Sequence, residues 1–416
     1  MSKKKVIVIG GGFAGLHFVR NLNQEAFEVL LIDKVNHHQF QPLLYQVATA
    51  QLEPSSISFP LRNIFKNQHN VFIRLAELTS IDQAENKIQT TIGEFSYDYL
   101  VLAYGCKTNF FGNERLSKVC LKLKSSSDAI TMRNHILENF ENVLSAKEDE
   151  RESLMNLVIV GGGPTGVELA GAIAEIKRDV LPKDFHRIDF SKFSILLIEG
   201  SANTLNVMSP LAQSSSKDYL QKMGVKVITE TFVKDYDGEV LTLSNGDRLK
   251  TKTVIWAAGV TANVVSGLDQ SQLTPNNRIR VDRYNKMMGS DNVFALGDLA
   301  NMETPLYPKG HPQLANVAIN QAKNLAKNMQ RAFDGQPLKM YEYKDLGAMA
   351  TFGRNKAVVD LPKFSFKGFW AWVVWMFLHL MLILSVKNKL IIFINWSWAY
   401  ITKNTSLRLI LGDNKK

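Results

Sequence analysis

Two fully apolar tetrapeptides, Val6-Ile7-Val8-Ile9 and Leu157-Val158-Ile159-Val160, lie about 150 residues apart, and each runs straight into glycine. Short apolar runs bounded by turn residues mark strands buried on both faces. After each glycine cluster, apolar positions return at helical spacing. A further apolar run then ends on an acid: residues 27–32 before Asp33, and residues 193–198 before Glu199. Residues 97–102 and 253–257 read as strands that end in small residues, at Ala103 and Gly105 and at Ala258 and Gly259. A strand at 292–296 leads into Gly297-Asp298, and a helical pattern follows over 312–333. Strand–helix–strand units in two copies predict an α/β fold with two parallel-sheet domains. The first domain is left near residue 120 and re-entered near 268.

The glycine clusters carry the chemistry. Gly10-Gly11-Gly12-Phe13-Ala14-Gly15 and Gly161-Gly162-Gly163-Pro164-Thr165-Gly166 both read G-x-G-x-x-G between strand and helix. The first glycine permits a tight turn, the second lets backbone approach a pyrophosphate, and the third lets helix pack on strand. The helix N-terminus then presents free N–H groups and a positive dipole end to the phosphates. One such cluster is weak support for nucleotide binding. Two, each with a strand before and an acid after the next strand, are specific. Asp33 and Glu199 are placed to accept from ribose hydroxyls, although either alone would read as a solvated loop acid. Lys34 follows the first. Glu199 lies further than the usual roughly twenty residues from its glycines, and residues 178–192 read as an insertion. Two dinucleotides in one chain imply electrons passed from one to the other.

Composition narrows the class. The chain has 416 residues, enough for two or three domains. Its two cysteines, Cys106 and Cys120, exclude a disulfide framework and fit a reducing compartment. No His/Cys spacing suits a metal. Lys3-Lys4-Lys5 before an apolar run imitates a signal peptide, but the glycine cluster explains that run better. The net charge is +10, and it is uneven. From Leu361 onward stand eight bases (Lys363, Lys367, Lys387, Lys389, Lys403, Arg408, Lys415, Lys416) against one acid, Asp413, together with five of the six tryptophans. Within this tail, residues 369–386 are almost uninterruptedly apolar. As one helix they would reach roughly 27 Å against a bilayer core of roughly 30 Å. A second apolar segment covers 390–401. Three readings compete: a buried core helix, a single span, and an interfacial anchor with Trp and Lys at headgroup level. The interleaving of bases with a long apolar run favours the anchor and anionic lipid over nucleic acid.

At this point the chain resembles a family. The paired fingerprints, the strand Phe294-Ala295-Leu296-Gly297-Asp298 and the basic aromatic tail look like type II NADH dehydrogenase, the single-subunit NADH:quinone oxidoreductase. The run from Gly161 through Glu168 to Gly171 closely matches that family's second fingerprint. His38-Gln39-Phe40-Gln41-Pro42-Leu43-Leu44-Tyr45-Gln46-Val47-Ala48 matches its flavin-lining segment. The resemblance implies two Rossmann-like domains and a membrane-anchoring C-terminal region: FAD on residues 1–120 and 268–335, NADH on 121–267, and membrane association on 336–416. It implies FAD at the first fingerprint with Asp298 on the ribityl chain, NADH at the second with Glu168 near the nicotinamide, and a quinone arriving from the membrane. The family's quinone motif, Ala-Gln-x-Ala-x-Gln, stands here as Ala315-Asn316-Val317-Ala318-Ile319-Asn320, so both glutamines are shortened by a methylene. Asn316, Ile319 and Asn320 lie on one face of a helix, as quinone-facing groups or as a polar face capping the cofactor. The resemblance also implies a peripheral position on the cytoplasmic face of the inner membrane. Menaquinone and ubiquinone both stay open, as does a homodimer.

In the expected reaction, hydride passes between stacked rings without a protein acid or base, and the quinone's two protons come from Glu168, Lys344 or water. Nothing in the chain resembles a multi-span ion pathway. Flavoprotein disulfide reductases and sulfide:quinone oxidoreductase share the two-nucleotide plan but need a close cysteine pair, which Cys106 and Cys120 do not make in sequence. A flavoprotein that senses NADH without catalysis is the rival of another class, and slow turnover with every quinone would be its sign.

Overall fold

The computed structural model describes residues 3–405 and 407–411. The chain forms two compact units. One runs through Gln39 and adds Phe59–Lys107 and Val260–Lys344; the other takes Phe40–Ser58, Thr108–Gly259 and the chain from Asp345 onward. The units change over a few residues beyond the strands Tyr99–Leu102 and Thr253–Trp256. Residues 336–344 stay with the first unit, where Tyr341 and Tyr343 join the core.

In the first unit a five-stranded parallel sheet is ordered Val293–Ala295, Tyr99–Leu102, Lys4–Ile9, Phe27–Asp33, Val71–Leu75. Lys4–Ile9 is central, which is why its last four residues are all buried and all apolar. Its first two residues, Lys4 and Lys5, are exposed. Helices Phe13–Asn21 and Ala315–Phe333 pack on each other. Ile7, Ile9, Ile32, Leu100 and Leu102 share a core with Ile81 and Ile88 from an antiparallel three-stranded sheet, Leu78–Asp82, Lys87–Thr90 and Gly93–Ser96.

The second unit repeats the five-stranded parallel plan, with an edge strand that comes first in its part of the chain and not last. Its parallel sheet is ordered Leu121–Lys122, Thr253–Trp256, Asn156–Val160, Ser194–Ile198, Val225–Ile228. Val158, Val160, Leu196, Ile198 and Trp256 pack with Tyr236, Leu241 and Leu243 of a second antiparallel sheet, Val233–Tyr236, Val240–Leu243 and Arg248–Lys250. The insertion foreseen over 178–192 is folded. The fingerprint helix Pro164–Asp179 is followed by a short helix, Leu181–Asp184, and a 3-10 turn, Phe190–Lys192. Phe140 gathers Phe185, Phe190 and Phe193 around it, with the Phe193 ring edge-on at 5.1 Å.

The tail corrects two of its three readings. After an antiparallel sheet (Ala348–Thr351, Ala357–Asp360, Ser365–Lys367) come two helices, Phe369–Leu382 and Val386–Thr402. The apolar run 369–386 is therefore not one helix. Ile383 and Ser385 are extended and break it. The first tail helix has 14 residues, about 21 Å, and no described helix is long and apolar enough to cross a membrane. Nor are these buried core helices: of their residues only Ala371, Trp375 and Ile392 are buried, while Trp370, Phe377, Phe393, Ile394 and Ile401 are exposed. Asp413, Lys415 and Lys416 lie outside the described residues. The helical pattern over 312–333 also shortens. The helix begins at Ala315, leaving Pro312 in the preceding loop.

Candidate functional site

Both fingerprints close with the same geometry. Gly10 and Gly161 take φ of +104° and +108°, and a Cβ at either would lie 2.5–2.6 Å from the carbonyl oxygen of Ala103 or Ala257. Gly15 and Gly166 press on the carbonyls of Gly10 and Gly161, where a Cβ would reach 1.9 Å. Gly12 and Gly163 differ: an added Cβ would meet nothing within 4 Å. These two cap helices Phe13–Asn21 and Pro164–Asp179 without a side-chain hydrogen bond. The space beside each helix start is thus open, which suits a pyrophosphate.

The acids after the second strands hold these turns. Asp33 Oδ2 accepts the Gly11 N–H at 2.5 Å, and Glu199 Oε2 accepts the Gly162 N–H at 2.5 Å. Asp33 Oδ1 takes the Val35 N–H, and Glu199 Oε1 takes the N–H and hydroxyl of Ser201. His38 supports the first turn from below, with Nδ1 at 3.0 Å from the Gly11 carbonyl and its ring edge-on to Phe13. Burial lowers its pKa to about 4, so the ring is neutral. Lys34 is not drawn in: it is exposed and paired with Glu77.

In the first unit, Gly297 is wedged between the helices. A Cβ there would lie 3.2 Å from the methyls of Ala14 and Ala318, while its N–H donates to buried Gln321. This brings Asp298 beside the starts of Phe13–Asn21 and Ala315–Phe333. The Asp298 carbonyl accepts from Gln313 Nε2 at 3.0 Å, Arg278 Nε at 3.1 Å and the Cys106 thiol at 3.5 Å. The first turn of Ala315–Phe333 carries Asn316. Its Nδ2 reaches the Tyr343 hydroxyl at 3.4 Å, and its buried Oδ1 has no partner. Ile319 and Asn320 are half-buried. Gln313, Arg278 and Tyr343 were not read from the sequence, because a shelf built from carbonyl contacts leaves no spacing signal.

In the second unit, Glu168 sits one turn into the fingerprint helix and is buried. Its Oε1 accepts the Thr351 N–H at 3.4 Å, and the Trp375 indole N–H lies beside it without closing a hydrogen bond. Burial pushes its carboxyl up to about 8, against the opposing pull of those two donors. Gly171 on the same helix meets the Phe352 carbonyl, holding helix and tail sheet in contact. Below lies an aromatic recess of about 690 Å3, including its mouth, lined by Tyr45, Gln46, Trp372, Trp375 and Trp396. Gln46 knits it together: Oε1 accepts the Trp396 indole N–H at 2.8 Å and Nε2 donates to the Tyr45 hydroxyl at 3.0 Å. His379 stacks on Trp375 at 4.0 Å and is held neutral by burial, with a pKa lowered to about 4. At the mouth, Arg354 donates to Glu175, to Asp179 and to the Ala399 carbonyl at the end of the second tail helix. Neither cysteine is in a disulfide, and burial raises the Cys120 thiol to about 12, which leaves it inert.

Residues 4–322 match the pyridine nucleotide-disulphide oxidoreductase family, and residues 346–404 match the NDH2 C-terminal domain. The chain is 32% identical over 420 residues to a type II NADH:quinone oxidoreductase of Mycobacterium tuberculosis, covering 96% of this chain and 89% of that one. Its backbone is similar to that of NDH2 from Plasmodium falciparum in complex with NADH, with a TM-score of 0.89 at 21% identity, over 97% of this chain and 100% of the other. The sulfide:quinone oxidoreductase of Aquifex aeolicus shares the fold at a TM-score of 0.74 and 21% identity, over 93% and 92% of the two chains.

Proposed function

The chain belongs to the pyridine nucleotide-disulphide oxidoreductases, and within them to the type II NADH:quinone oxidoreductases, and from that premise we propose that it passes two electrons from NADH through FAD to a quinone and moves no ion across the membrane. The observation that carries this is the doubled turn, with Gly12 and Gly163 each open at an uncapped helix start. We assign FAD to residues 1–120 and 268–335, NADH to 121–267, and membrane association to 336–416.

When bound, FAD supplies the hydride acceptor and the two-electron donor. The protein supplies position. Gly10, Gly12, Phe13, Ala14 and Gly15 cradle its pyrophosphate, Asp33 meets its adenosine ribose, and Ala103, Gly105, Asp298 and Ala315 line the rest. Gly161, Gly163, Pro164, Thr165 and Gly166 do the same for NADH, with Glu199 at its ribose and Ala258 and Gly259 beyond. Asn316 and Asn320 offer amides to a quinone carbonyl, and Ile319 offers an apolar face to its ring. Glu168, whose burial raises its carboxyl to about 8, keeps a proton at pH 7. The exposed aromatic and aliphatic side chains of the two tail helices, with Lys387 and Lys389 in the first turn of the second, fit the surface of an anionic bilayer.

The test is steady-state NADH oxidation by the purified, flavin-loaded chain with a water-soluble quinone analogue. Turnover no faster than with dioxygen alone would remove the quinone, and release of FMN in place of FAD on denaturation would remove the flavin assignment. Sulfide as a competing donor separates the sulfide:quinone reading, which has no observation in its favour.

A further inference from the structure

We propose that Phe232 is the platform on which the adenine ring of NADH stacks, an inference that rests on the placement of NADH in the second unit. Phe232 lies four residues beyond the edge strand Val225–Ile228, and it is 63% exposed. Its backbone is nevertheless fixed. The Thr231 N–H donates to the Glu199 carbonyl at 3.1 Å, and the Glu230 N–H to the Ser201 carbonyl at 3.0 Å. The Phe232 N–H donates to Ser244 Oγ at 3.0 Å, and the Ser244 N–H returns to the Phe232 carbonyl at 2.8 Å. A phenyl ring held in water by a fixed backbone carries a hydrophobic cost that a flat ligand on its open face would recover.

Gly200 gives the ring its seat. A Cβ there would lie 2.8 Å from Cδ1, 2.9 Å from Cζ and closer still to Cε1, so any other residue would push the ring away. Gly200 does not take a left-handed φ, so this glycine serves space and not conformation. The residue before it is Glu199, whose carboxylate accepts the Gly162 N–H. Three adjacent parallel strands thus present three groups at their C-terminal ends. Asn156–Val160 leads into the glycine turn, Ser194–Ile198 into Glu199, and Val225–Ile228 into the segment that carries Phe232. The order across the sheet is the order along the nucleotide: pyrophosphate, ribose, base. A nucleoside joins its base to the carbon next to the 2′-hydroxyl, so a ribose held by Glu199 carries its base close to Gly200 and the ring above it. A phenyl ring offers a purine its π-face, and base–aromatic stacking is worth about 1–3 kcal/mol per base. Because the ring is already in place, little ordering opposes the contact.

The probe is ADP-ribose, titrated calorimetrically into the flavin-loaded full chain. We expect one-to-one binding, weakened at least roughly tenfold in Phe232→Ala, about 1.4 kcal/mol. Phe232→Tyr keeps the ring face and should bind like wild type. Phe232→Leu is apolar without that face and should bind clearly more weakly. In turnover, Phe232→Ala should raise KM for NADH by a similar factor and leave kcat within roughly twofold, since the reacting ring is at the other end of the molecule. Wild-type affinity for ADP-ribose in Phe232→Ala would overturn the platform, and so would wild-type affinity in Phe232→Leu. A loss of kcat with KM unchanged would overturn it as well, because the residue would then act on the chemistry and not on the base. Failure of the wild-type chain to bind ADP-ribose and to oxidise NADH is a different result: it removes the NADH placement itself, and the platform with it. If Phe232→Ala does not fold, Phe232→Tyr and Phe232→Leu decide.

Discussion

Glu199 takes the Gly162 N–H on Oε2 and two donors from Ser201 on Oε1, so one carboxylate both fastens the second glycine turn and brings a formal charge to the proposed ribose. Its charge should repel a 2′-phosphate. We expect wild type to prefer NADH over NADPH in kcat/KM, and Glu199→Gln to shrink that preference at least roughly tenfold, about 1.4 kcal/mol. The amide oxygen can still accept from Gly162, so the fold should survive. An unchanged preference would place the charge away from the ribose.

Glu168 makes stability depend on pH in a definite direction. Its folded pKa, about 8, lies above the ordinary 4.5. Below 4.5 the carboxyl is neutral in both folded and unfolded chain, and nothing is lost. Between 4.5 and 8 the unfolded chain ionises while the folded one keeps its proton, so stability falls as pH rises through that window. Glu168→Gln keeps an acceptor for Thr351 and cannot ionise. It should melt close to wild type at pH 4.5 and above it at pH 8, by on the order of a few kcal/mol. Melting curves of the two proteins at both pH values check this. Parallel pH dependence would mean the carboxylate is solvated.

The two tail helices should separate folding from membrane contact. Trp370, Phe377 and Ile394 are 72%, 64% and 62% exposed, whereas Trp375 is 1% exposed. Replacing the three exposed residues together by Glu should release the chain from anionic liposomes with the flavin retained. Trp375→Ala should instead cost stability, on the order of 3–5 kcal/mol. Truncating the chain after Lys363 would mix the two effects, because Trp375 and the Trp396–Gln46 bond go with the tail. Sedimentation with liposomes and thermal melts distinguish them.

Asn316 has a buried, unpartnered Oδ1. Removing it by Asn316→Leu should leave stability unchanged or slightly raised, since an unmatched acceptor is lost. If the amide serves the quinone, the same change slows flavin reoxidation by quinone in stopped flow and leaves reduction by NADH intact. Ile319→Trp should slow reoxidation at least roughly tenfold, about 1.4 kcal/mol of barrier. Wild-type reoxidation in both variants would move the quinone off this helix face.

The parallel sheets were legible because a strand buried on both faces has no choice but to be apolar, as Val6-Ile7-Val8-Ile9 is. The glycine turns were legible because no other residue tolerates Gly10's approach to Ala103. The tail was less so. Hydropathy sees residues 369–386 as one run; it does not see that Ile383 and Ser385 turn extended there. The partners of Glu168 were hidden as well. Thr351 lies 183 positions away and meets it through a backbone N–H, which any residue but proline could have supplied. Gln46 stands in the run from His38 to Ala48, yet its bond to Trp396 spans 350 positions and leaves no local periodicity.

The second tail helix is tied down at both ends. Near its start Asn388 donates to the Ser55 and Ser56 carbonyls at 3.0 and 2.8 Å, and near its finish the Ala399 carbonyl accepts from Arg354, itself held by Glu175 and Asp179 of the second fingerprint helix. A rod pinned at two points cannot pivot. Whatever flat surface settles on its outer side therefore meets the helix axis at one fixed bearing relative to helix Pro164–Asp179, an angle that the chain itself sets.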